Sequence, residues 1–204
     1  TILLEEENTM KHSVEKGKTL LVDGPSSVTV LSGEARILGA PLKVGERFVI
    51  REGKRVPFET VKTSVFDLVL GENASFEEID GSTIPPSWEK ASEELVSGRK
   101  LLTVMVIGDV DSGKSSFSTY LANKALEKKL KVAVVDADLG QSDIGPPSTI
   151  GFSRITGPVK DLFEVEAESA YFIGLTSPSG VTGEVIEKLS SLKNRALKDD
   201  DFLI

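Results

Sequence analysis

The period of apolar and polar positions changes twice along this chain. Within residues 1–80 apolar side chains alternate over short stretches: VTVL (28–31), ARIL (35–38), RFVI (47–50) and SVFDLVL (64–70). Such stretches read as short, half-buried β-strands. Turn-forming groups separate them at Asp23-Gly24-Pro25, Ser32-Gly33, Gly39 to Pro41 and Glu52-Gly53. The spacing predicts a small β-sandwich-like domain over residues 1–80, with no helix. Across residues 81–100 the period becomes helical. Pro85-Pro86 ends extended pairing, Ser87 is a suitable N-cap, Trp88, Ala91 and Leu95 share one face, and Gly98 is a stop. This predicts a linker containing a helix. From residue 101 apolar runs alternate with helical periods. LLTVMVI (101–107), KVAVVDAD (131–138) and AYFIGLTS (170–177) read as buried strands, residues 114–130 and 181–198 as helices, and FLI (202–204) as the opening of a fourth strand. The pattern predicts an α/β domain over residues 101–204, a mainly parallel sheet with helices on both faces. Because the sequence stops inside that fourth strand, the expected sheet is incomplete and the parent protein longer.

Composition narrows the chemistry. The 204 residues carry a net charge of −8, with −4 in each half. There is no cysteine, which removes disulfides, cysteine zinc sites and a thiol nucleophile. The longest apolar run, 101–107, is far short of the ~20 residues of a membrane span. The opening TILLEEEN is acidic, the wrong sign for a secretion signal, so the expected location is cytoplasmic, away from membranes. A nucleic-acid partner would have to meet a local basic patch. Residues 36–55 offer one, with six Lys or Arg and two acids. Its first reading is a solvated strand face, its second a contact to a phosphodiester backbone. His12, the single histidine, lies outside every motif.

Residues Gly108, Asp109, Val110, Asp111, Ser112, Gly113, Lys114 and Ser115 match G-x-x-x-x-G-K-[ST] at every fixed position, between an expected strand and an expected helix. In such a loop glycines let backbone N–H groups approach phosphate oxygens, and the helix N-terminus adds partial positive charge. Lys114 can reach the β- and γ-phosphates and the Ser115 hydroxyl can ligate Mg²⁺, with Ser116 following on the first helical turn. The pattern points to a nucleoside triphosphate site without naming the reaction. Asp136 and Asp138 close the next strand. Two residues apart, they point the same way, at the sheet edge where a carboxylate meets Mg²⁺. One could hold the metal while the other takes a proton from an attacking hydroxyl; equally, either could simply bind loop N–H groups. The following segment, residues 139–150, is too rich in Gly and Pro for a helix and must cross the sheet edge beside the phosphate loop.

Together GDVDSGKSS, VVDADLGQSDIGPPSTIG and YFIGLTSPSG resemble the polynucleotide 5′-hydroxyl kinase family. That family includes the RNA-kinase subunit of the pre-mRNA 3′-end cleavage machinery, ribosomal-RNA-processing kinases and smaller archaeal RNA kinases. Its pattern of phosphate loop, D-x-D-x-G-Q, Pro-Gly-Thr-like segment and T-S-P falls here on residues 108–115, 136–141, 147–149 and 176–178. Ser148 stands where Gly is usual. The resemblance implies a small β-domain before the kinase domain, ATP and Mg²⁺ as cofactors, RNA (or DNA) with a 5′-hydroxyl end as substrate, and RNA-processing proteins as partners. By position, it implies that Lys114 and Ser115 hold the triphosphate and metal, that Asp136 serves the metal, that Asp138 is the base and that Gln141 lies near the acceptor end. Its lid arginines and RNA-contacting aromatics would fall beyond Ile204. Two other readings stay open: a non-catalytic ATP-binding scaffold of an RNA-processing complex, and a dimeric partitioning or metal-chaperone-type ATPase or GTPase. The latter often has an early lysine in the loop, where this chain has Asp109.

Overall fold

The computed structural model describes residues 9–98 and 101–204. The acidic opening stretch and the last two residues of the expected linker lie outside the described residues. The chain divides into two units, residues 1–85 and 86–204.

In the first unit the strands are β1 (Thr9–Val14), β2 (Lys18–Asp23), β3 (Ser26–Ile37), β4 (Ala40–Leu42), β5 (Arg47–Ile50), β6 (Arg55–Leu70) and β7 (Phe76–Asp80), all in one antiparallel sheet. VTVL and ARIL, separate in the sequence pattern, are two parts of β3. The register of β3 on β6 shifts three times between Val30 and Ala35. Bulges of this kind bend a strand. The front of β3 pairs with β5 and the rear with β4, while β6 pairs with β2 early and β1 late. Phe58, in the early part of β6, meets Phe48 of β5 and Phe66 of late β6 edge-on, at centroid distances of 6.2 and 5.9 Å. The bent sheet therefore closes on itself around one apolar core that includes Leu20, Val28, Ile37, Phe58 and Leu68.

An ion pair ties the start of this barrel-like unit together. Arg55 Nε and Nη2 donate to the two Asp23 carboxylate oxygens at 2.6 and 2.8 Å, and Ser75 Oγ adds a third bond at 2.6 Å. The guanidinium, then the hydroxyl, hold the Asp23 carboxyl down at about 2 against an ordinary 3.8. A depressed carboxyl pKa gives stability that is complete above the unfolded value and is lost as pH falls through the folded one. Arg55 is half exposed, so water screens the pair. Asp23→Asn should cost the first unit about 1 kcal/mol at pH 7. That difference should vanish between pH 4 and 2, as urea titrations of both proteins across that window would reveal. Of the basic residues in 36–55, Arg55 is thus committed to Asp23, and Arg47 donates to Ser27 Oγ.

The second unit holds α1 (Pro86–Val96), β8 (Leu102–Thr103), α2 (Lys114–Glu127), β9 (Val132–Asp136), β10 (Thr149–Ile155), β11 (Ser169–Phe172), α3 (Thr182–Asp199) and β12 (Phe202–Leu203). Its sheet runs β11-β10-β9-β12-β8. Leu121, Ala125, Val132, Val134 and Phe202 build a core on the α1 and α2 side; Ala133, Ile150, Phe152, Leu192 and Leu203 build one under α3. Helices thus cover both faces. The sheet is mixed, however, where the alternation of elements predicts a mainly parallel one. β12 lies parallel to β8 and β9, but β10 is antiparallel to β9 and β11. A parallel return needs a crossover, usually helical. α2 and α3 are the two long helices in such connections, whereas residues 137–148 contain no helix and 156–168 only a 3₁₀ turn at Leu162–Glu164.

Two further expectations are corrected. Residues 101–107 do not form a buried strand throughout. Only Leu102 and Thr103 pair in the ladder, and Met105 and Ile107 are 76% and 82% exposed. Leu102, Val104 and Val106 pack on the α2 side, while the alternate side chains face the side where α3 packs on β9, β10 and β12. The strand expected over residues 170–177 ends at Phe172. β10 carried no sequence signal because Gly151 interrupts its apolar run. A Cβ there would overlap the Ile144 carbonyl, so the close approach of residues 143–145 requires glycine.

Candidate active site

The phosphate loop lies between the segment that continues β8 and the start of α2. α2 starts at Lys114, and Gly113 before it has φ 85°, a left-handed conformation that favours glycine. Asp111 also lies at positive φ, 58°. Three donors converge on the Asp109 carbonyl: Ser112 N–H at 3.3 Å, Ser112 Oγ at 2.7 Å and Lys114 Nζ at 2.8 Å. The loop therefore closes around its own backbone. A phosphate oxygen would offer Lys114 a full charge in place of this neutral carbonyl, a stronger bond. Ser115 is exposed and Ser116 half-buried on the first turn of α2, with Thr119 Oγ1 bonded to the Ser115 carbonyl. Gly108, Asp109 and Val110 are exposed. Trp88 of α1 supports the helix from below, meeting Phe117 and Tyr120 at 5.2 and 6.4 Å between ring centroids.

Strand register places the aspartates at the same sheet edge. Phe202 of β12 is level with both Leu102 and Val132, and the two strands run in the same direction. The phosphate loop follows β8 and Asp138 follows β9, so both lie beyond the same edge of these parallel strands. Val132 and Val134 face the α2 side, so Asp136 and a continuing Asp138 do as well.

The hydrogen bonds then distinguish the two carboxylates. Asp136 is half-buried. Its Oδ2 accepts from Ser142 Oγ at 3.0 Å, Asp143 N–H at 2.5 Å and Ile144 N–H at 3.0 Å, and its Oδ1 from Asp138 N–H at 3.0 Å. Asp138 is exposed, and its Oδ1 accepts from Gly140 and Gln141 N–H, both at 3.0 Å. Both residues thus shape the loop that follows them, the alternative left open by the sequence. Each also keeps capacity on its other oxygen: Asp138 Oδ2 makes none of these bonds, and Asp136 Oδ1 makes one. Sequence reasoning missed Ser142 and the amides of Asp143 and Ile144; the only available signal was a carboxylate followed by a Gly- and Ser-rich loop. Gln141 is exposed, held through its backbone. The T-S-P segment lies alongside, since a Cβ on Gly140 would stand 3.4 Å from the Thr176 carbonyl oxygen.

Ser148 joins this loop to the next strand. Its N–H donates to the Leu139 carbonyl at 2.9 Å and its carbonyl accepts from Ile173 N–H at 2.8 Å. It holds φ 65°, which explains why glycine suits the position. Ser148→Gly is expected to raise stability by at most about 1 kcal/mol, because relief of strain is partly offset by unfolded-chain entropy. Ser148→Val should lower it by about 1–2 kcal/mol. Thermal melts of the three proteins would rank them.

Mg²⁺ takes one or two carboxylates together with substrate phosphates, and the Ser115 hydroxyl and the Asp136 carboxylate are oxygen donors of the hard kind it uses. Among the described residues no three His, Cys, Asp or Glu cluster as an all-protein metal cage. Nor is any described helix long and apolar enough to cross a membrane.

Residues 108–201 match the family described as mRNA cleavage and polyadenylation factor CLP1 P-loop. A polyribonucleotide 5′-hydroxyl-kinase of Thermococcus kodakarensis is 43% identical over 102 residues, covering 50% of this chain and 29% of that protein. One from Pyrococcus abyssi is 37% identical over 121 residues, 59% of this chain and 34% of its own length. The chain thus matches about a third of the length of these relatives. A CLP1 homolog from Aedes aegypti is 27% identical over 86% of this chain and 42% of its own. In fold, the chain resembles a solved structure of the interface between Pcf11p and Clp1p, with TM-score 0.77 and 17% identity over 98% of this chain and 55% of that one. Residues 108–201, which hold the phosphate loop, α2 and both aspartates, thus match the CLP1 P-loop family.

Proposed function

We propose that this chain is the nucleotide- and acceptor-binding part of an ATP- and Mg²⁺-dependent RNA 5′-hydroxyl kinase. The observation that carries the reading is that the phosphate loop and Asp138 follow parallel strands at one sheet edge, with one Asp138 carboxylate oxygen left over from the loop's own hydrogen bonds. The loop amides and Lys114 bind the triphosphate and orient its γ-phosphate. Ser115 and Asp136 would hold Mg²⁺, which when bound neutralises charge on the β- and γ-phosphates. The 5′-oxygen of the acceptor attacks the γ-phosphorus in line, and the bond to the β–γ bridging oxygen breaks. ADP leaves, and the acceptor's proton passes to Asp138 Oδ2. Gln141, beside Asp138, faces the acceptor end. RNA is preferred to DNA as substrate on the names of the archaeal relatives.

A scaffold role has one observation behind it: the solved structures that this chain resembles are complexes of Clp1p with Pcf11p. The discriminating experiment is transfer of labelled γ-phosphate from ATP to a 5′-hydroxyl oligoribonucleotide by the full-length protein. Magnesium-dependent label on the 5′ end supports the kinase. Nucleotide binding without transfer supports the scaffold.

A further inference from the structure

The exposed ring of Phe172 stands beside this site with no evident structural task. It is 74% exposed at the end of β11, and among the described residues its ring meets no other aromatic ring. Strand register fixes its place. Asp136 is opposite Gly151 on β10, and Gly151 is opposite Ala170 on β11. Partners across a sheet share a face, and so do residues two apart. Asp136, Ala170 and Phe172 therefore lie on the α2 face, whereas Tyr171 and Ile173 pack on the α3 side. Thr149 and Phe172 are paired two residues nearer the site edge, and counting two residues past the last β9–β10 pair brings Asp138 to the same level. Two strand spacings separate them, about 10 Å. The exposed Pro146-Pro147 turn belongs to the loop between them. On the other side the ring lies close to Gly174, where a Cβ would stand at an ordinary van der Waals distance, 3.5 Å from Cε1.

We propose that Phe172 is a stacking platform for a nucleobase just downstream of the 5′ end, so that the site prefers single-stranded acceptors of two or more nucleotides. The proposal rests on the kinase reading, which puts the 5′-hydroxyl at Asp138. An acceptor continuing from there across the Pro146-Pro147 turn brings its next bases over the ring. An aromatic face is tolerant of base identity because every base has a π-face. The platform therefore gives affinity for single strands with little sequence preference.

The test uses the full-length protein with a ladder of 5′-hydroxyl acceptors, from a nucleoside 3′-phosphate to a hexanucleotide. Phe172→Ala should raise KM for the hexanucleotide by about 5- to 150-fold, with KM for ATP unchanged and no rise for the single nucleoside. Phe172→Trp should preserve or lower that KM. Phe163→Ala, which removes an exposed ring from the 3₁₀ turn, is the control for loss of surface apolar area. An unchanged hexanucleotide KM in Phe172→Ala overturns the platform and leaves the kinase reading intact. So does an equal rise at every acceptor length or in the Phe163 variant. A fall in melting temperature with loss of ATP affinity shows that Phe172 is covered by protein in the full chain, and also overturns it. Absence of transfer by the parent protein to any acceptor removes the kinase reading, and the platform with it.

Discussion

Asp138→Asn is expected to keep its fold and its affinity for ATP–Mg²⁺ while phosphoryl transfer slows by about 10²–10⁴-fold. The substitution is nearly isosteric. An asparagine carbonyl at the Oδ1 position can still accept from Gly140 and Gln141 N–H, so the loop keeps its shape. What disappears is the negative oxygen at Oδ2 that takes the acceptor's proton in the proposed mechanism. Asp136→Asn should behave differently. Its Oδ2 accepts three donors, and an amide nitrogen cannot accept any of them. Whichever way the amide turns, bonds to Asp138, Ser142, Asp143 or Ile144 are lost, at about 1–3 kcal/mol for stranded donors. That variant should lose stability, need more Mg²⁺ and bind the nucleotide less well. Single-turnover transfer beside nucleotide titration separates the two residues. If Asp138→Asn loses ATP–Mg²⁺ affinity while Asp136→Asn loses only the chemical step, the roles are reversed. If neither slows transfer, the kinase reading fails.

Lys114→Ala is expected to reduce transfer by on the order of 10²-fold or more, with a melting temperature close to the parent's. The lysine contributes little to the fold: it is half-buried, and among the described residues its ammonium bonds only the Asp109 carbonyl. In the triphosphate complex that ammonium would move to the β- and γ-phosphates and meet charge that grows in the transition state. The loop itself should survive the substitution, because Ser112 closes it through its own N–H and hydroxyl. Transfer within a few-fold of the parent in a well-folded variant would contradict the assignment. An equal loss with collapse of the melting transition would mean that the ammonium–carbonyl bond holds the loop.

Local chemistry made part of this legible. Gly113 before a lysine, with a helical period after it and an apolar run before it, can hardly be anything but a strand-loop-helix phosphate site. The helices at residues 86–96, 114–127 and 182–199 followed from their period and punctuation. Asp136 and Asp138 could be placed on one face because side chains two apart in a strand point the same way. What their oxygens do could not be read, since Ser142, Asp143 and Ile144 return to Asp136 only once the loop has folded back.

The sequence by itself therefore determined the elements with a local cause: short strands bounded by turns, capped helices, and the phosphate loop. Tertiary structure decided whatever depends on which strand lies beside which. The direction of β10 follows from a connection too poor in helix to cross the sheet, and its central glycine hid it from the apolar pattern. β3 reads as two strands until its bulges are seen against β6. Residues 101–107 are apolar on both sides, but burial depends on what covers each side, and the described helices cover only one. The level of Phe172 with Asp138 is a register across three strands, and no periodicity within a single strand carries that information.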